Sequence, residues 1–187
     1  VQRQTLDLAP RNSMVGDALG QALAAQGRQP EAVVAFREAL GLAPGAVRSQ
    51  VHLAHALRRE RRWADAAQAY RAAIRGRRGD PMLHGHLGVT LAHGRRYGEA
   101  ATAFREALRL DPQSARWHAR YGRVLERQGR LPEAEAEFRQ VVENFPQDTS
   151  TAALARQELS TLPGTNRSTV SGWLVWPAGM VTVSAAA

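Results

Sequence analysis

Prolines recur along this chain at a fixed interval, and that interval restricts the fold more than any other feature. The intervals are 34, 68 and 34 residues, in the order Pro10, Pro44, Pro112 and Pro146. A fixed period of about 20 to 50 residues is typical of chains built from stacked supersecondary units. We therefore divide the chain into four units, residues 13–46, 47–80, 81–114 and 115–148.

When the four units are aligned, the same residue types recur at the same positions. The first half of each unit has two apolar columns: Leu19, Leu53, Leu87 and Tyr121, then Leu23, Leu57, Leu91 and Leu125. The second half has three: Ala32, Ala66, Ala100 and Ala134; Phe36, Tyr70, Phe104 and Phe138; Ala39, Ala73, Ala107 and Val141. Residues three or four apart lie on one face of a helix. Each unit therefore predicts two amphipathic helices.

Glycine and proline indicate where these helices begin and end. Gly27 and Gly129 follow the first helix of their units, where a left-handed cap favours glycine. Pro30 and Pro132 fall at the start of the second helix, where a missing N–H costs little. Arg61 replaces the turn glycine in the second unit. Each unit is therefore predicted to be a helix–turn–helix.

The columns resemble the signature of the tetratricopeptide repeat family. The matching elements are Leu19-Gly20, Leu87-Gly88, Ala100 with Phe104, and Pro112, within a resemblance that covers residues 1–162. The resemblance implies an all-α fold, a right-handed α-solenoid (superhelix) of helix–turn–helix units.

Two further segments flank the four units. Residues 1–12 resemble the tail of a truncated preceding repeat, because TLDLAP aligns with ALGLAP and ALRLDP. We expect the natural protein to extend further in the N-terminal direction. Residues 149–162 predict a capping helix, whose apolar side faces the last unit while its polar side faces solvent.

The charge pattern indicates the kind of partner. The chain has 25 basic and 17 acidic residues, and every basic residue is Arg, so a surplus of +8 favours anionic partners. In the family that the chain resembles, first helices line a concave groove in which ligand peptides lie. The residues that this implies for partner binding are Arg48, His52, His55, Arg58, Arg59, His86, His93, Arg116, Arg120, Arg123 and Arg127. We expect a scaffold that binds an acidic or carboxylate-bearing peptide segment.

Four of these arginines form a single stripe. Arg116, Arg120, Arg123 and Arg127 are four, three and four residues apart, which places them along one helix face. Like charges at this spacing repel unless an anion lies between them. Forked guanidinium donors suit carboxylate or phosphate. The alternative is a solvated face on which Glu126 compensates part of the charge.

Chaperone-binding members of the family hold a C-terminal carboxylate with a characteristic set of Lys and Asn residues. That set is not reproduced, since the chain has no Lys and its first unit offers Asp17 and Gln21. Only Arg116 and Arg120 resemble its basic part, so we do not assign this activity.

The sequence does not indicate catalysis. No Ser, His and Asp fall in a catalytic arrangement, and the absence of Lys excludes a Schiff-base lysine and a Walker-type phosphate loop. We expect neither an enzyme nor a cofactor. A metal site at His52, His55 and His86 is conceivable, but no carboxylate shares that cluster, so we expect no metal.

Two other functions are alternatives to the peptide scaffold. The units can form the adaptor arm of a larger enzyme of the transferase type. The Arg-rich surface can instead bind nucleic acid, although it lacks aromatic side chains on which bases would stack.

The last part of the chain, residues 163–187, does not follow the repeat and is apolar. Its longest uncharged apolar stretch, residues 172–187, is too short and too interrupted by Pro177 and Gly179 to span a membrane. The segment as a whole reads as a foreign end, as the start of another domain, or as a docking segment that mediates self-association through residues 172–183. No secretory leader precedes the first unit; this favours the cytoplasm, or the periplasm if a leader has been removed. A GC-rich genome, which we expect to be bacterial, explains the preference for Arg.

Overall fold

The computed structural model of the protein describes residues 2–163, with side chains from residue 12 onward. Within this range every regular element is a helix. The elements are α1 (Gln2–Ala25), α2 (Gln29–Leu42), α3 (Val47–Arg59), α4 (Trp63–Gly76), α5 (Pro81–His93), α6 (Tyr97–Leu110), α7 (Ala115–Arg127), α8 (Leu131–Asn144) and α9 (Thr149–Thr161).

The helices pack in the order of the chain, which makes the molecule an α-solenoid. Each unit is a closely packed pair of helices, and the second helix of one unit packs on the first helix of the next. The predicted capping helix is α9, which packs on α7 and α8 with Ala152, Ala155 and Leu159 buried. None of the helices in the described range is both long and apolar enough to cross a membrane.

The core consists of the columns that define the repeat, except on the first helix of the first unit, where Leu19 is exposed and Leu23 is only partly buried. The alanine and aromatic columns of the second helices are buried in all four units. A Cβ atom added at Gly88 would lie 3.0 Å from the ring of Phe104, and one added at Gly122 would lie 2.8 Å from the ring of Phe138. The aromatic rings therefore fill the space that these glycines leave between the two helices of a unit.

The turn between the two helices of each unit requires a left-handed residue. Gly27 and Gly129 supply it with φ values of +80° and +75°. Arg61 and Arg95 occupy the same position in the second and third units with φ values of 57° and 60°. A side chain in this conformation costs about 1–2 kcal/mol. An arginine thus replaces the turn glycine in the third unit as well as in the second.

The N-terminal segment is part of a longer helix. Helix α1 runs without a break from Gln2 to Ala25 and so includes Pro10. That residues 1–12 are the tail of a preceding repeat stays a prediction. Val1 and residues 164–187, including the apolar segment 172–183, lie outside the described range.

Candidate functional site

Five of the predicted partner-binding residues lie together on the first helices α3, α5 and α7. We call them the central cluster: His55, Arg58, His86, Arg116 and Arg120. The His55 and His86 rings are edge to face, with 5.4 Å between their centroids. The His86 ring also contacts the rings of Tyr70, at 6.0 Å, and Trp117, at 5.8 Å. The repeat period therefore aligns basic side chains from three successive units.

The electrostatics of the central cluster are those of a crowded positive site. Burial lowers the pKa of His86 to about 4, and the charges of His55, Arg58, Arg120 and Arg116 act in the same direction. Burial also lowers the pKa of Arg120, as do its arginine neighbours. A guanidinium nevertheless stays charged at neutral pH. The cluster thus combines charged arginines with neutral imidazoles.

The arginines of the central cluster lack acidic partners within the described range. Arg58, Arg116 and Arg120 form no ion pair there, whereas one arginine in each helix–helix turn pairs with the Asp or Glu three residues later. Arg58 donates to the Tyr70 hydroxyl across 3.5 Å, while its buried Nε has no hydrogen-bond partner. The buried Nε1 of Trp117 has none either.

Arg59 lies beside the central cluster, exposed at the end of α3. Burial lowers the pKa of His55, and Arg58, His52 and Arg59 add to the shift through their charges. Arg59 therefore adds positive charge to this face and makes no ion pair in the described part of the chain.

Two of the predicted partner-binding residues, Arg48 and His52, contact an acidic residue of the first unit, Asp17. His52 Nδ1 lies 2.9 Å from an Asp17 carboxylate oxygen, and Arg48 Nε lies 3.9 Å from the other. Burial raises the pKa of Asp17, but hydrogen bonds from His52, Ser49 and Gln21 outweigh it and lower the pKa below its usual value. The positive charge of this face is therefore partly neutralised toward α1.

The remaining predicted residues line a pocket. Its volume is about 450 Å³, and it lies where α5, the turn at Arg95, α6 and α7 meet. His93, Arg120, Arg123 and Arg127 are among its lining residues. Arg123 also forms an ion pair with Glu158 of the capping helix at 3.4 Å. We call this cavity the Arg95 pocket.

A recurring set of hydrogen bonds was not anticipated from the sequence. Gln50, His84 and His118 occupy one column, and each donates to the carbonyl six residues earlier, at Pro44, Arg78 and Pro112. The distances are 2.7, 3.0 and 3.0 Å. These bonds hold α3, α5 and α7 to the turns that precede them. The polar column was the signal that could have revealed them.

His118 is buried and makes a second contact, to the second helix of its own unit. Its Nδ1 lies 2.7 Å from a carboxylate oxygen of Glu137 on α8. Burial lowers the pKa of His118, but the hydrogen bonds to Glu137 and the Pro112 carbonyl outweigh it, and the pKa is raised. This histidine is a structural tie between α7 and α8.

No group of three or more His, Asp or Glu side chains in the described residues is arranged to hold a metal ion. Of the three histidines considered for a metal, His52 binds Asp17 while His55 and His86 contact each other.

The fold has many relatives among solved structures. MamA (residues 41 to the end) from Desulfovibrio magneticus RS-1 is 22% identical with a TM-score of 0.66, and the match covers 70% of this chain and 74% of that one. A structure titled as a functional characterisation of Pseudomonas aeruginosa pilF is 23% identical with a TM-score of 0.64, covering 83% and 70%. The first TPR of Spaghetti (RPAP3), bound to HSP90 peptide SRMEEVD, is 17% identical with a TM-score of 0.59, covering 64% and 94%. At these identities the likeness shows the fold alone.

The sequence itself matches a family model. No curated protein matches the chain. A model described as tetratricopeptide repeat matches residues 18–81, 51–115 and 91–149, which together span more than half of the chain. The chain therefore belongs to the tetratricopeptide repeat family of protein-interaction scaffolds.

Proposed function

We propose that the face formed by the first helices binds an acidic peptide segment of a partner protein, with ligand carboxylates at the central cluster. The observation that carries this proposal is the lack of ion pairs to Arg58, Arg116 and Arg120 in the described residues, although one arginine in each helix–helix turn is paired. The charge of Arg116 lowers the pKa of Asp148, but the two side chains form no ion pair in the described range.

The physical argument concerns the cost of leaving these charges together. Mutual repulsion and partial burial both disfavour the charged form, and both act on Arg120. A carboxylate between the guanidinium groups would reverse the sign of the local interaction and accept charge-assisted hydrogen bonds. A ligand oxygen near Arg58 would also add a hydrogen-bond acceptor beside a guanidinium whose Nε is unsatisfied.

One comparison structure supports an acidic peptide as the class of ligand. The peptide SRMEEVD in the Spaghetti (RPAP3) structure has two Glu and one Asp against one Arg. The tetratricopeptide fold thus accepts an acidic peptide in a relative of similar shape. This chain has no Lys, so Arg and His would have to provide the contacts here.

A titration of a fluorescent Glu- and Asp-rich peptide, followed by anisotropy, tests the proposal. Arg120→Glu reverses a charge in the central cluster, and Arg37→Glu reverses an exposed charge on α2 as the matched control. We expect Arg120→Glu to weaken binding at least about tenfold, and Arg37→Glu to change it by less than about twofold.

Equal losses in the two variants would mean that the peptide responds only to net charge, which would overturn the proposal. Titration with a single-stranded RNA of the same length tests the alternative function, nucleic-acid binding. Binding of RNA but not of peptide, with a steep salt dependence, would assign the arginines to nucleic acid instead.

A further inference from the structure

The Arg95 pocket has two kinds of surface. Its base consists of Val89 and Ala92 from α5, Phe104 from α6 and Val124 from α7. Val89, Phe104 and Val124 are buried residues of the core, while Ala92 is partly exposed. The volume of about 450 Å³ falls within the range of pockets that enclose ligands. The base therefore suits an apolar group.

The rim of the pocket is strongly basic. Arg95, Arg120, Arg123 and Arg127 line it together with His93. Burial lowers the pKa of His93, and the charges of Arg58, Arg120 and Arg123 lower it further. Only Arg123 has an ion-pair partner among the described residues, Glu158. A group seated in the pocket would be surrounded by guanidinium donors.

Arg95 is at this rim despite a backbone conformation that disfavours it. Its φ is 60°, at a position where the first and fourth units have Gly27 and Gly129. A strained residue at the edge of a cavity is consistent with a role in ligand binding. Arg61 has the same conformation but does not line this pocket, so it provides an internal control.

We propose that the Arg95 pocket seats a large apolar side chain of the ligand, and that Arg95 and Arg127 hold acidic residues next to it. This inference rests on the proposed function and narrows its ligand to a segment in which an apolar residue is flanked by Glu or Asp. The central cluster then binds further carboxylates along the same segment, since Arg120 belongs to both sites.

Two peptides of equal charge separate this inference from the proposed function. One has a Phe between Glu residues, and the other has Ala in place of that Phe. We expect the wild-type protein to bind the Phe peptide about tenfold or more tightly than the Ala peptide, because the pocket removes the ring from water.

Three variants test whether the preference for the Phe peptide arises at the Arg95 pocket. Ala92→Phe places a ring in the pocket from the partly exposed side of α5 and should abolish the preference for the Phe peptide. Arg95→Gly removes a rim charge and should weaken the Phe peptide about threefold to tenfold, while Arg61→Gly should leave it unchanged. Both glycine variants relieve the same backbone strain, so a general change of stability would affect both equally. Circular dichroism confirms that Ala92→Phe remains folded.

Equal affinity of wild-type protein for the two peptides would overturn the pocket inference and leave the proposed function standing. Equal effects of Arg95→Gly and Arg61→Gly would overturn the role of Arg95. If neither peptide binds at any salt concentration, the proposed function fails, and the inference fails with it.

Discussion

The imidazole of His55 on α3 lies edge to face against that of His86 on α5, with 5.4 Å between the ring centroids. Arg58 from α3 and Arg116 and Arg120 from α7 place positive charge around the pair. Burial and these charges oppose protonation of both rings. An anion bound beside them would remove part of this opposition. Ligand binding and proton binding are therefore expected to be linked.

The first prediction is that an acidic peptide binds more tightly as the pH falls. The pKa of His86 is about 4 without ligand, and a nearby carboxylate raises it toward the usual value of about 6.5. We expect the affinity to rise about threefold to tenfold between about pH 7.5 and about pH 5.5, with uptake of protons. Calorimetry in buffers of different ionisation enthalpy measures that uptake directly.

His86→Asn serves as the control for this prediction, because it removes one of the two titrating groups. The variant should take up fewer protons and show a flatter dependence of affinity on pH. Equal affinities at both pH values, with no proton uptake by the wild-type protein, would contradict the linkage.

The second prediction concerns stability without ligand. The folded pKa of His86, about 4, lies below its unfolded value. Between about pH 6.5 and about pH 4 the unfolded chain therefore binds more protons, and the free energy of unfolding should decrease as the pH is lowered. Urea unfolding at several pH values measures the slope. His86→Asn should reduce it, and an unchanged slope in that variant would argue against the buried neutral imidazole.

The third prediction concerns His118, for which the sign is opposite. Its folded pKa is raised, so its contribution is complete below the unfolded pKa and is lost as the pH rises through the folded pKa. His118→Ala should destabilise the protein by about 1–3 kcal/mol, because it removes a buried ring and its hydrogen bonds to Glu137 and the Pro112 carbonyl. His118→Gln should cost less, since Gln50 makes the equivalent bond to Pro44. Equal urea midpoints for the two variants would exclude a specific role for the bond to the turn carbonyl.

The fourth prediction concerns the close approach of α5 and α7. Any Cβ at Gly85 would overlap the indole ring of Trp117, which is buried. Gly85→Ala should therefore destabilise the protein by about 1–3 kcal/mol, because the ring must shift within a packed core. Gly41→Ala on α2 is the control, since a Cβ there meets nothing within 4 Å. Thermal unfolding of both variants gives the comparison, and a similar change in the two would show that α5 and α7 are less closely packed.

Much of the fold could be predicted from the sequence because each unit repeats the same pattern of apolar residues. The columns that contain Phe36 and Leu57 predict both helices of a unit, since apolar periodicity depends on residues a few positions apart. The same alignment placed Arg58, His86 and Arg120 on first helices. Pro10 aligns with prolines that follow helices in the later units, yet helix α1 continues through it.

The rest of the candidate site depends on distances that the alignment does not contain. The alignment did not show that Asp17 would reach His52 and Arg48, which reduces the charge of the first half of the face. It also did not show that Arg95, like Arg61, takes the left-handed conformation of the turn. The carbonyl that His118 binds becomes available only where the preceding helix has ended.

The location of the ligand is tested most directly by the NMR signals of the six histidines during titration with an acidic peptide. His55, His86 and His93 lie at the central cluster or the Arg95 pocket, while His84 and His118 bind turn carbonyls. Binding at the proposed face should shift the imidazole signals of the first three and leave those of His84 and His118 in place. Shifts confined to His84 and His118, or saturation of the peptide with no change at His86, would contradict an acidic-peptide site on the first helices.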